Sequence, residues 1–178
     1  MDYFRKMRGT TQSPPRVGAG EVAWSFVGAF AGISAVGFLH AGLLDATGLG
    51  LLIGSFGATA VLVYGAVKSP LAQPRNVLFG HVLSALAGVA AQQALGEVVW
   101  LAAALAVASA IAVMHLTKTL HPPGGATALI AVIGGDSVHA LGYLYALVPA
   151  GLGATVLVLV ALVVNNIPKN RRYPEFWV

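Results

Sequence analysis

The chain has 178 residues, of which 57% are hydrophobic and 9% charged, and its mean hydropathy is +0.81. A soluble domain carries about a quarter of its residues as charges, so this composition excludes a cytosolic globular enzyme and a disordered chain and implies a membrane protein. Ten Lys and Arg against six Asp and Glu leave a net charge of +4, which in such a chain speaks first to topology; the lipid bilayer, not nucleic acid, is the expected partner. With no cysteine, disulfides, thiolate metal sites and thiol nucleophiles are excluded.

In chain order, residues 1–20 read as a basic tail. Uncharged runs then cover 22–44, 46–67, 76–96, 98–117, 119–135 and 137–168, against the roughly 20 apolar residues that a spanning helix needs. The first run is of full span length and lacks an Ala-x-Ala cleavage site, so it reads as a retained anchor and not a signal peptide. The run 119–135 is cut short by Pro122-Pro123 and Gly134-Gly135. Counting it as a span gives six crossings, and the charges support that count. Arg5, Lys6, Arg8, Arg16, Lys68, Arg75, Lys118, Lys169, Arg171 and Arg172 then share one face, while the alternate loops carry Asp45, Glu97 and Asp136. This positive-inside pattern places both termini in the cytoplasm, with a cell inner membrane as the default. The expectation is an all-α polytopic domain over 21–168, with halves 21–96 and 97–168 and a cytoplasmic tail 169–178. In that tail Tyr173, Phe176 and Trp177 beside Lys169, Arg171 and Arg172 read as an interfacial belt.

An internal repeat supports the division into halves. Gly57-Ala58-Thr59-Ala60-Val61-Leu62 matches Gly125-Ala126-Thr127-Ala128-Leu129-Ile130 at an offset of 68 residues. The alternative is coincidence among small residues that are common in membrane helices. An odd number of spans per half forces the halves to run in opposite directions, which makes a 3+3 inverted repeat. Both copies open on helix-hostile residues, Gly54-Ser55-Phe56-Gly57 and His121-Pro122-Pro123-Gly124-Gly125, so segments two and five are expected to be short or broken. Pro123 or a neighbour opens the second helix, which is about 15 Å long from Gly124 to Ile133. Paired interrupted segments in corresponding positions point to a transporter's substrate site.

Two helix starts there favour an anion. Gly57, Gly124 and Gly125 allow close approach to the backbone, and Ser55, Thr59 and Thr127 supply hydroxyls. No acid stands in mid-span, as a cation carrier or carboxylate relay would need. His121 precedes the second break and reads equally as a ligand contact or as a helix-end residue bonded to a carbonyl. His81 and His115 read as interior residues, and His40 and His139 as interfacial anchors. No metal or cofactor is expected. Gly28 with Gly32 and Gly50 with Gly54 signal close packing; the Gly-rich faces suit a homo-oligomer. Pro70 and Pro74 stiffen the loop 69–76, Asn76 is placed to cap the third span, and Arg75 is placed to draw anions to the substrate entrance.

The stretch His121-Pro122-Pro123-Gly124-Gly125-Ala126-Thr127-Ala128-Leu129 resembles the signature of the HPP family of integral membrane proteins. Gly54-Ser55-Phe56-Gly57-Ala58, Ser69-Pro70-Leu71-Ala72-Gln73-Pro74-Arg75-Asn76 and Gly80-His81 resemble its second signature, so the likeness covers most of 22–165. The resemblance implies an all-helical transporter-like fold and, as in cyanobacterial and chloroplast members, transport of nitrite. The expected site is therefore Ser55, Phe56, Gly57, Thr59, His81, His121, Pro123, Gly124, Gly125 and Thr127, with Arg75 on the access route. The competing readings are a channel or carrier for another small anion or a neutral solute such as nitrate or formate, a non-transport membrane module, and a membrane enzyme using His121.

Overall fold

The computed structural model describes residues 3–44 and 50–178; Asp45, assigned above to a loop, lies outside them. Helix α1 (Ala19–Leu39) runs into a π turn at His40–Leu44. Helix α2 (Ser55–Ala60) continues as a π turn, Val61–Gly65. Long helices α3 (Pro74–Leu95) and α4 (Val99–Leu116) follow, then the short α5 (Pro122–Ile133) and the single turn α6 (Asp136–His139). A 3-10 turn at Gly142–Ala146 and a π turn at Leu147–Gly151 lead into α7 (Leu152–Val164). The described residues are all-helical, without strands.

Among the described residues, four stretches are long and apolar enough to cross a membrane: Ala19–Gly42, Pro74–Leu95, Val99–Leu116 and Gly142–Val164. The apolar helices Ser55–Gly65 and Pro122–Ile133 are shorter, about 16 and 18 Å at 1.5 Å per residue. The run 46–67 is span-length by residue count; among its described residues, 50–67, the helix begins at Ser55. Phe26, Phe30 and Phe38 on α1 and Trp100 and Ile111 on α4 face outward. So much exposed apolar surface calls for a hydrocarbon surrounding.

Inside, α3 packs against both α4 and α5, α1 against α7, and α2 touches α1, α5 and α7. Small residues set the spacing. Ala102, Ala106 and Ala110, four apart on α4, meet Ala128 and Val132 on α5. A Cβ added at Gly88 of α3 would lie 2.8 Å from the Ala128 Cα, so glycine sets how closely α3 and α5 cross. Gly28 and Gly32 realise the close-packing expectation in another form: they make room for Tyr64, not for a second backbone. A Cβ at Gly28 would stand 2.7 Å from Tyr64 Cδ1, and one at Gly32 would overlap the Tyr64 hydroxyl, which donates to the Leu157 carbonyl at 2.9 Å. Gly50 and Gly54 have nothing within 4 Å of such a Cβ, so that pair has no packing role.

Helix α4 ends in a Schellman motif. Thr119 N–H donates to the Met114 carbonyl at 2.8 Å and Lys118 N–H to that of His115 at 3.2 Å, with Lys118 in the left-handed region at φ 56° where glycine is usual. The reversal delivers the extended residues 119–121 into the bundle and sets His121 at the start of α5. At the other end, Arg171 is buried and holds the C-terminal segment onto α1. Its guanidinium lies 2.7 Å from Glu21 Oε1 and donates to Ser25 Oγ at 2.9 Å and to Asn165 Oδ1 at 3.1 Å. The interfacial belt read from the tail is thus divided. Arg171 and Tyr173 are buried, and only Lys169, Arg172, Phe176 and Trp177 remain exposed.

Candidate functional site

Where α2, α3 and α5 meet, five polar side chains are nearly or fully buried: Ser55, Thr59, His81, His121 and Thr127 are each 1% exposed or less. Each comes from a different turn of the three helices. Ser55 and Thr59 are one turn apart on α2, and the Thr59 hydroxyl also reaches the Ser55 carbonyl at 3.2 Å. His81 projects from the second turn of α3, where Gly80 beside it lets α5 approach: a Cβ at Gly80 would lie 2.5 Å from the His121 Cβ. Thr127 faces inward from α5.

The five form one hydrogen-bonded chain. Thr59 Oγ1 lies 2.7 Å from His81 Nε2 and 3.0 Å from His121 Nε2. His81 Nδ1 lies 2.6 Å from Thr127 Oγ1, which stands 2.8 Å from Ser55 Oγ. His121 Nδ1 lies 2.8 Å from the Leu71 carbonyl oxygen. A carbonyl can only accept, so this last contact assigns a proton to His121 Nδ1. The imidazoles of His81 and His121 meet edge to face, 5.0 Å between centroids, and Phe56 closes on His81 at 5.2 Å in the same manner. Tyr145 donates to the Thr127 carbonyl at 3.1 Å.

The loop 69–76 pins this arrangement from below. Ser69 Oγ accepts from Leu71 N–H at 3.2 Å, capping a 3-10 turn that opens on Pro70. Buried Gln73 donates to the Val67 and Ser69 carbonyls at 3.1 and 2.8 Å and accepts from Glu175 N–H at 2.8 Å. Tyr173 donates to the Ala72 carbonyl at 2.8 Å. These bonds aim the Leu71 carbonyl at His121. Arg75 donates to the Thr117 carbonyl at 2.8 Å and so braces the α4–α5 turn, which ties up the side chain expected on the access route. Asn76 does not cap α3. The helix starts on Pro74, with Gln73 as its N-cap residue, and Asn76 donates to the Leu120 carbonyl at 2.9 Å.

The helix starts offer fewer free amides than expected. Pro122 and Pro123 occupy the first two positions of α5 and carry no N–H, and Gly124 N–H already donates to the His121 carbonyl at 2.8 Å. In α2, Phe56 and Gly57 N–H are likewise engaged, by the Ile53 and Gly54 carbonyls at 3.0 and 3.2 Å. Any polar recognition here therefore falls to the hydroxyls and imidazoles. One further hydroxyl is at hand: Ser84 Oγ on α3 is buried without a hydrogen-bond partner, and a Cβ at Gly124 would lie 2.7 Å from it.

Of the residues singled out from the sequence, Ser55, Phe56, Thr59, His81, His121, Gly124 and Thr127 converge on this centre, with Pro123 buried behind them. Gly57 is exposed and Gly125 half-buried, both away from it. His115, read as interior, is exposed: it sits on the outward side of α4, whose inward side is the Ala102–Met114 stripe. His40 Nδ1 accepts from Leu51 N–H at 3.3 Å and His139 Nε2 lies 2.9 Å from the Val132 carbonyl, so both brace the chain. Nothing in the residue pattern points to the Leu71 carbonyl or to Ser84. Gln73 carried one signal, as a polar residue flanked by Ala72 and Pro74 in an otherwise apolar stretch.

Comparison with known proteins gives the family of the chain. The family description "HPP, transmembrane region" matches residues 14–174, which include every element of the centre. A transmembrane protein of Dictyostelium discoideum is 44% identical over 180 residues, covering 99% of this chain and 58% of that protein. A second from the same organism is 43% identical over 183 residues, covering 99% of this chain and 64% of its own length. The chain thus spans about three fifths of these relatives. No solved structure matches it. The match along nearly the whole length, with the His-Pro-Pro turn and the loop 69–76 both built into the buried centre, makes this chain a member of the HPP family of transmembrane proteins.

Proposed function

We propose that the protein transports a small inorganic anion, nitrite by preference, at the polar centre between α2 and α5. One observation carries the reading: two buried imidazoles converge on the single hydroxyl of Thr59, 2.7 and 3.0 Å away, in a core with no carboxylate among its hydrogen-bonding groups. A proton held there pairs with an oxyanion. The unpartnered Ser84 hydroxyl and the neighbouring Gly124 add a donor and close approach beside His81. A centre this enclosed corresponds to an occluded state; once it opens to one side, the anion replaces bonds of the Thr59 network.

The architecture proposed for this transport is a 3+3 inverted repeat with both termini on the cytoplasmic side of a cell inner membrane. Its support is the order long, short, long, repeated once, together with the single-sided distribution of Lys and Arg. Short segments in matching positions of the two halves suit a fixed site approached alternately from either side.

The test is uptake into proteoliposomes of the purified full chain under a potential that drives anions inward. Protein-dependent entry of nitrite, above nitrate, formate and an uncharged solute of similar size, is the expected result. Equal entry into protein-free vesicles for every solute contradicts the reading.

A further inference from the structure

A cavity of about 450 Å³ lies away from the Thr59 centre, where the start of α1, the turn after α2 and the C-terminal segment meet. Lys68, Ser69, Asn170, Arg171, Arg172 and Glu21 are among the residues that line it, so three cations face one carboxylate. Arg171 is committed to Glu21 and Asn165. Lys68 and Arg172 are exposed and hold neither a hydrogen bond nor an ion pair among the described residues. The cavity therefore presents two uncommitted cations from two separate segments, and a single phosphate group can take charge-assisted hydrogen bonds from both.

Gly65 lines this cavity and also a second, apolar hollow of about 400 Å³, so the two join there. The hollow is a groove between α1 and α2. Ser25, Ala29 and Ile33, four apart on one side of α1, supply one wall, and Gly57, Ala60 and Val61 supply the other. The Ser25 hydroxyl donates to the Glu21 carbonyl at 2.9 Å and accepts from Arg171, which leaves the α1 wall without a free hydroxyl. An added Cβ at Gly57 or Gly65 would meet nothing within 4 Å, so these glycines keep the groove open without admitting another part of the protein. From Glu21 to Ile33, α1 rises about 18 Å at 1.5 Å per residue, close to the depth of one leaflet in a hydrocarbon core of about 30 Å.

A basic cavity at the membrane boundary that continues into an apolar groove one leaflet deep matches the two halves of a charged lipid. We propose that cavity and groove together bind a glycerophospholipid with an anionic headgroup, its phosphate between Lys68 and Arg172 and one acyl chain between α1 and α2. Charge selects the headgroup. A choline cation carried beside the phosphate would stand against Lys68, Arg171 and Arg172, whereas glycerol would not, and basic clusters at the boundary of a spanning helix attract anionic lipids. A second copy of the chain fits less well: two copies inserted in the same sense and related by a twofold axis would bring their Lys68 and Arg172 to the same level of one interface. Because Lys68 follows α2 and Arg172 belongs to the C-terminal segment, a bound phosphate bridges the two. The site stands apart from the Thr59 centre and does not depend on which solute is carried.

The test uses the full chain, delipidated in a neutral detergent, with native mass spectrometry and thermal unfolding as readouts. The probes are phosphatidylglycerol, phosphatidylcholine with the same acyl chains, and inorganic phosphate. The expected result is one phosphatidylglycerol per chain, held tenfold or more tighter than phosphatidylcholine, with a higher unfolding temperature because the ligand binds the folded state. Lys68→Gln combined with Arg172→Gln, which touches neither the Arg171 latch nor the Thr59 centre, should bring phosphatidylglycerol down to the level of phosphatidylcholine. Gly57→Leu, which fills the groove, should weaken phosphatidylglycerol fivefold or more, and Val61→Trp, at an exposed groove position, gives the same reading should Gly57→Leu fold poorly. Equal retention of the two lipids by the parent protein, or phosphatidylglycerol binding unchanged in the well-folded charge variant, overturns the proposal. Displacement of the lipid by millimolar phosphate assigns the cavity to a free anion, and a lipid-free dimer broken by Gly57→Leu assigns the groove to a second copy; either result also overturns it.

Discussion

The Leu71 carbonyl and His121 Nδ1 meet at 2.8 Å across 50 positions of sequence. That contact ties the loop before α3 to the first residue before α5, and it assigns the proton of one imidazole nitrogen. The other nitrogen, Nε2, is thereby directed to Thr59 and to the shared chain of hydroxyls and imidazoles. The positions of the two helix starts and the chemistry between them thus depend on each other.

Thr59 is the link whose removal does most with least change in shape. Valine keeps the branched volume and deletes the hydroxyl, leaving buried nitrogens of His81 and His121 unpaired at a cost of about 1–3 kcal/mol. Thermal unfolding in detergent should show Thr59→Val below the parent protein. Thr59→Ser, which keeps the hydroxyl and loses one methyl, should fall by no more than about 1 kcal/mol. Equal stability of Thr59→Val and the parent would show that the hydroxyl is not shared as described.

Gly80 should tolerate nothing larger. The Cβ of alanine would stand 2.5 Å from the His121 Cβ and 3.0 Å from the Thr119 carbonyl, and neither neighbour is the end of a flexible chain. Gly80→Ala should therefore cost about 1–3 kcal/mol and displace His121, lowering nitrite uptake. Gly57→Ala is the contrast. It has nothing within 4 Å of its added Cβ, so alanine should leave uptake unchanged and stabilise α2 by up to about 1 kcal/mol.

The tail latch makes a separate prediction. Arg171→Gln removes the ion pair with Glu21 and the bond to Asn165. Because Glu21 keeps partial solvent access, with 28% of its side-chain surface exposed, the expected loss is about 2 kcal/mol. Limited proteolysis should cut after residue 168 faster in Arg171→Gln than in the parent. Unchanged cleavage would mean the tail is held by other contacts.

Tyr173 gives this docking a pH dependence. Burial, and secondarily Tyr64 nearby, pushes its hydroxyl above the ordinary tyrosine value of 10.0. A value raised in the folded state means that the stabilisation is fully present below about pH 10 and is lost as pH rises through the higher folded value. Phenolate absorbance should show Tyr173 ionising later than an exposed tyrosine, and Tyr173→Phe should lower the late-ionising amplitude by one tyrosine, the buried Tyr64 and Tyr145 remaining. Ionisation of all five tyrosines near pH 10 would contradict this docking.

Much of the centre was legible before the structure, and the reason is local. Gly54-Ser55 and His121-Pro122-Pro123 announce helix starts through backbone chemistry, and the matched Gly-Ala-Thr-Ala runs place Thr59 and Thr127 at the same register. Contacts across the bundle were not legible. Arg75 and Asn76 each sit at the start of α3 with an obvious local role, as a free charge and as a cap, yet both reach across to carbonyls of the α4–α5 turn. His115 follows the same rule from the other side. Position along a uniformly apolar helix does not say which side faces inward, and the alanine stripe of α4 settles it against His115. The start of α5 offers fewer free amides than a helix start usually does, because the same prolines that open the helix carry no N–H.

The most direct measurement of the central claim is nitrite uptake by His121→Ala beside the parent protein, in proteoliposomes matched for folded protein, at a pH where passive nitrous acid entry is small. The account predicts protein-dependent uptake in the parent and uptake reduced to background in His121→Ala. Undiminished nitrite entry in correctly folded His121→Ala would contradict a substrate site at the meeting of α2 and α5.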